Sequence, residues 1–183
     1  MIYPFSLSEV AVGLGLLCVI VHALVLWKFD KCKGWCLRAH KNFRLGLVVF
    51  ILAAAWVVWL LAVMDLMEYS NLRIFFIGIV VALAALVVKH LPDYLAVRGL
   101  GLILVLLAKV LLDAAFLRDE PSKFVITALA YLFAVAGMVW LAVPYWFRDA
   151  MEWFWKNERR ARVMTVVKLI FGGLLLYLGF FVY

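Results

Sequence analysis

Apolar residues run almost unbroken through residues 7–29, 45–64, 72–88, 99–117, 124–146 and 163–183, with most of the charged residues gathered between them. At 1.5 Å of rise per residue, stretches of this length reach or approach the roughly 30 Å hydrocarbon core of a bilayer. The pattern therefore predicts six transmembrane helices. The third is the shortest, and its ends can be extended by a turn. Residues 147–162 follow another rule: Phe147, Ala150, Met151, Phe154 and Ala161 recur at helical spacing, with Arg148, Glu152, Lys156, Arg159 and Arg162 between them. That alternation predicts an amphipathic helix lying in the membrane interface, with Trp153 and Trp155 near headgroup level.

The connections are short and differ in charge. Residues 30–44 read as a loop, and with Lys28 they gather Lys31, Lys33, Arg38, Lys41 and Arg44 against the single acid Asp30. Residues 89–98 add Lys89 and Arg98 on the same side, and residues 147–162 add five more basic side chains; the opposite connections hold only Arg73, Arg118 and Lys123. By the positive-inside rule the basic connections face the cytoplasm and both termini lie outside. The N-terminal segment MIYPFSLSEV has no basic region of a cleaved signal peptide, so the first apolar stretch is expected to be a retained span.

Composition agrees with this class. The 183 residues are 69% hydrophobic and 16% charged, against about 45–50% and about 25% in soluble domains. The expected architecture is all-α: one polytopic membrane domain over residues 1–183, a bundle of six transmembrane helices with short loops and one interfacial helix. The formal net charge of +7 is accounted for by anionic headgroups at the inner face, and nucleic acid is not an expected partner. The expected location is a bacterial inner membrane or another energy-conserving membrane. A homo-oligomer or a larger membrane complex is the expected assembly.

One pair of charges breaks the apolar pattern. Lys109 lies near the middle of the stretch 99–117 with Asp113 four residues on, so both side chains leave one helix face. A charge at bilayer depth costs at least about 2.5–3.5 kcal/mol, so neighbouring segments are expected to shelter the pair. It would serve either as the polar element of a path or as an interhelical clasp. His22, inside the first stretch, is a candidate inner-side relay or a neutral packing residue. Glu9, Asp65, Glu68, Asp119 and Glu120 all fall on the outer side, where together they would form an acidic vestibule.

Other chemistry finds less support. Cys32 and Cys36 have CxxxC spacing and would share a helix face near His40, but structural zinc sites use closer pairs and four ligands, so free thiols are expected. His22, His40 and His90 lie at unlike depths and do not make a bis-histidine haem site. No metal or other cofactor is expected. There is no HExxH, GxSxG, P-loop or Rossmann glycine pattern, and catalysis is not the expected role. Gly13-Leu14-Gly15-Leu16 and Gly99-Leu100-Gly101-Leu102 open spans of opposite direction, a match short enough for chance. These residues support first a small channel or transporter for a proton, ion or small solute, and second a noncatalytic assembly subunit.

Overall fold

Apolar side chains in lipid leave the backbone no water to bond, so each crossing segment must satisfy its own amides as a helix. The computed structural model describes residue 3 and residues 5–39, 42–116 and 122–183, and among these it has eight α-helices and no strand. They are α1 (Leu7–Trp27), α2 (Phe29–Ala39), α3 (Phe43–Val63), α4 (Arg73–His90), α5 (Leu95–Ala115), α6 (Lys123–Ala142), α7 (Pro144–Lys156) and α8 (Glu158–Phe181). A 3₁₀ turn, Met67–Leu72, leads into α4. Six of the helices, all but α2 and α7, are long and apolar enough to cross a membrane. Ile74, Phe75, Leu52 and Ile170 stand exposed on their flanks, as the lipid-facing surface of a membrane bundle requires.

Helix boundaries follow local chemistry and move several expected ones. Ser6 caps α1: its hydroxyl accepts from the Glu9 amide while the Glu9 carboxylate accepts from the Ser6 amide. The expected loop 30–44 is largely the helix α2, because Phe29, Cys32, Cys36 and Leu37 form an apolar face that packs on the Phe29–Trp155 cluster. The fifth span stops at Ala142, since Pro144 lacks an amide proton and disfavours helix at the residue before it. Pro144 then opens α7. The segment 147–162 expected as one helix is divided: α7 ends at Lys156, and Asn157 accepts from the Arg160 amide and caps α8, so residues 158–162 begin the last long helix.

The bundle is organised around α5. Half of its most apolar window is buried, against 0 to 22% for the other five spans. It packs along α6 and α3 and meets α1 near one end, while α8 lies along α1. Among the described residues α3 is the one span that packs extensively on α4, and no residue of α4 is buried. Close approach depends on small residues, as is usual where lipid supplies no hydrophobic drive between helices. A Cβ placed on Gly101 would stand 2.8 Å from the Gly137 carbonyl oxygen, and one on Gly137 would stand 2.6 Å from that of Gly101. The two Gly-Leu-Gly-Leu runs play different parts: Gly13 meets open space and Gly15 meets α8, whereas Gly99 meets α3 and Gly101 meets α6.

The two ends of the chain lie at one face. The Ser8 hydroxyl donates to the Gly179 carbonyl at 2.7 Å, and the Tyr183 hydroxyl donates to the Ser122 carbonyl at 2.6 Å. There too the Trp56 indole donates to the Tyr3 hydroxyl at 2.8 Å. We call this the terminal face. The opposite, basic face carries α2 and α7, joined where Phe29 meets Trp155 edge-on with ring centroids 5.2 Å apart. Arg160 lies over the Trp153 ring at 3.7 Å and Arg162 over Phe29 at 4.9 Å, contacts in which guanidinium groups cover aromatic surface.

Candidate functional site: the polar strip of α5

Four residues apart on α5, Lys109 and Asp113 form a direct ion pair. The Lys109 ammonium donates to both carboxylate oxygens, at 2.9 and 2.8 Å. Lysine preceding the acid is the weaker order for an i,i+4 pair, so helix stabilisation alone does not account for it. Because α5 begins at Leu95, Lys109 lies in the terminal-face half of the helix, six residues from its Ala115 end. Leu95 to Arg98 forms the first turn of α5 where a connection was expected, since the turn at Pro92 ends with Tyr94 at φ 57° and the helix starts at once.

The direction of the pair follows from helix geometry. Gly99 faces Phe50 of α3, and Gly101 faces Gly137 of α6. At 100° per residue Lys109 projects roughly 80° from each of these directions, on the strip between α3 and α6. Leu111 and Ala115, on the far side of α5, pack with Leu7 and Ala11 of α1. The expected shelter is therefore partial: the Asp113 side chain is 16% exposed and that of Lys109 41%. Arg98 lies on the same strip, roughly 20° from Lys109, and its buried Nε has no hydrogen-bond partner.

Cavities lie elsewhere. A groove of about 710 Å³ follows α3 and α4, a cleft of about 250 Å³ lies among α2, α3, α5 and α7, and a polar hollow of about 580 Å³ lies between α2 and α7. Neither Lys109 nor Asp113 lines any of the three.

His22 is on another seam. Its Nδ1–H donates to the Cys18 carbonyl one turn back at 2.7 Å, and the Cys18 thiol donates to the Lys168 carbonyl of α8 at 3.2 Å. With Leu7 and Ala115 level at the terminal face, His22 lies about 13 Å deeper than Lys109 by helical rise. The structure thus keeps His22 and the ion pair apart. The acidic residues are likewise used locally: Glu9 closes the α1 cap, Asp65 accepts from the Met67 amide at 3.0 Å, and Glu68 stands exposed. Asp119, Glu120 and His40 lie outside the described residues. Among the described residues no three His, Cys, Asp or Glu side chains cluster as metal ligands.

The three cysteines are free thiols. Burial, and then the neighbouring Cys32, push the Cys36 thiol above the ordinary cysteine range. Two basic contacts escaped sequence reading. Arg73 donates to the Met64 carbonyl at 2.9 Å and closes the α3–α4 hairpin. Arg148 bonds Asp149 at 2.8 Å and the Tyr94 hydroxyl at 3.3 Å, and these partners, Asp149 first, raise its pKa further. Arg148 thereby joins α7 to the start of α5, a pairing 54 residues long that no local pattern announces.

The chain is thus an all-α bundle with six helices fit to cross a membrane, which makes it an integral membrane protein by length and composition of its helices. No protein-family model, no curated protein and no solved structure matches it.

Proposed function

We propose that this protein is a noncatalytic assembly subunit of a membrane complex, which receives a transmembrane helix on the α5 strip between α3 and α6. The observation that carries this reading is the ion-paired Lys109 side chain, 41% exposed on a flank that its own bundle covers only in part. Facing hydrocarbon, a charge is disfavoured by at least about 2.5–3.5 kcal/mol. A neighbouring helix that offers a hydroxyl, amide or carboxylate removes that penalty and reads the position of the pair. The basic face turns toward the cytoplasm and its anionic headgroups, with both termini on the other side, as the charge asymmetry requires.

The test is site-directed crosslinking in the native membrane, from Leu102→Cys on this strip in a background without Cys18, Cys32 and Cys36. A crosslinked product of defined mass, lost on Lys109→Met at equal folded abundance, supports docking; its mass tells a second copy from a different chain. The reading fails if the purified chain alone carries protons or ions across liposomes and Lys109→Met stops the flux. That result would make the strip the wall of a path.

A further inference from the structure

We propose that the groove between α3 and α4 is a lipid site, holding an acyl chain of an anionic glycerophospholipid from the basic-face leaflet with its phosphate against Lys89. The groove is apolar along its length, with Lys89 at its basic-face end as the sole charged residue among those lining it. An amphiphile with one negative group and a long tail matches that distribution. The mouth lies where headgroups lie, because Lys89 belongs to the last turn of α4.

Length gives the second argument. From Leu47 at the basic end to Trp59 at the other, the α3 wall rises about 18 Å. One leaflet of hydrocarbon is about 15 Å deep, half the thickness of the core. The groove is therefore as long as one lipid tail in place. Its far end is closed by Trp59, whose ring is backed by Tyr3 with centroids 5.9 Å apart.

The distribution of charge favours a lipid over a protein occupant: a single cation at the headgroup end and an otherwise apolar lining of about 710 Å³ match one anionic head and its hydrocarbon tail. Ala54, Ala55, Ala84 and Ala85 form walls deep enough for a flexible chain. The hairpin geometry keeps them so: Arg73 ties the two helices at the terminal face, while among the described residues α3 is the one helix that packs extensively on α4. A tail in the groove would give α4 the packing that the rest of the bundle does not.

The test is native mass spectrometry of the full chain, equilibrated with nanodiscs of phosphatidylglycerol or phosphatidylcholine bearing the same acyl chains. We expect one retained lipid, with phosphatidylglycerol favoured about fivefold, the factor one cation is worth at an anionic surface. Lys89→Gln, at an exposed helix end, should keep the retained lipid and lose the preference. Ala84→Trp should lose the retained lipid with either headgroup. Equal retention of both lipids by the unaltered chain, or a preference that survives Lys89→Gln, would overturn the headgroup assignment. Retention unchanged in folded Ala84→Trp, or disulfide-linked dimers formed through Ala84→Cys in place of lipid retention, would overturn the groove as a lipid site.

Discussion

Replacing Gly137 by alanine should separate the two most intimately packed helices of the bundle. The new methyl carbon would stand 2.6 Å from the Gly101 carbonyl oxygen, 2.8 Å from Val105 Cγ2 and 3.1 Å from the Val105 amide nitrogen. Two of these obstacles are backbone, so no rotamer change clears them and α6 must move away from α5 by several tenths of an ångström. Overpacking of this kind costs about 1–3 kcal/mol. Alanine also returns about 1 kcal/mol of helix propensity, which leaves a net loss of about 0–2 kcal/mol. Gly173→Ala is the matched control, since a Cβ there meets nothing within 4 Å and only the propensity gain applies. The two variants should therefore differ by about 2 kcal/mol, or about 4–8 °C in Tm for a chain of this size. Thermal unfolding of both variants in one detergent measures the difference. Equal melting, or a Gly137→Ala variant that melts above Gly173→Ala, would refute the close seam, and with it the placement of the Lys109 strip on the α6 flank.

Lys109→Met should reduce the assembled fraction at least tenfold by leaving the Asp113 carboxylate unpaired; Lys109→Met with Asp113→Leu should restore folded abundance without restoring the partner, as read by size-exclusion chromatography and crosslinking. Tyr183→Phe removes the hydrogen bond to Ser122 and should lower stability by about 1 kcal/mol, measured by the same thermal unfolding. In a variant whose only cysteine is Cys36, burial, the larger of the two causes, still raises the thiol's pKa, so maleimide labelling should be slow at neutral pH and its rate should still be climbing at pH values where an ordinary cysteine has levelled off. A labelling profile that matches free cysteine would refute the buried setting of this residue.

How much could be read beforehand differs from element to element. The six spans were legible because a bilayer imposes one requirement, a helix of sufficient apolar length, and each stretch meets it through its own residues. The α7 boundary was less so. Pro144 and Asn157 carry the stop and start signals, yet the apolar period of residues 147–162 runs straight through Asn157 and hides the break. Helix α2 was missed because its many charges outweigh its narrow apolar face; that face packs against Trp155 and Ala161, brought to it from a distant part of the chain.

The candidate site divides in the same way. That Lys109 and Asp113 share a face follows from their spacing alone, as does the contact of Glu9 with the start of its own helix, because both span a single turn. Whether the pair lies in the bundle's centre or on its flank depends on which sides of α5 are occupied. Gly99 and Gly101 decide that by admitting α3 and α6 on two sides, and Leu111 by meeting α1 on a third. The separation of His22 from the pair depends equally on the docking of α1. By itself the sequence determined the membrane class, the number of crossings and the ion pair, since lipid solvation and helical periodicity act on local segments. Only the tertiary structure decided what each helix faces, because in lipid that choice rests on close steric fit between distant small residues, and an apolar pattern nearly uniform around each helix does not encode it.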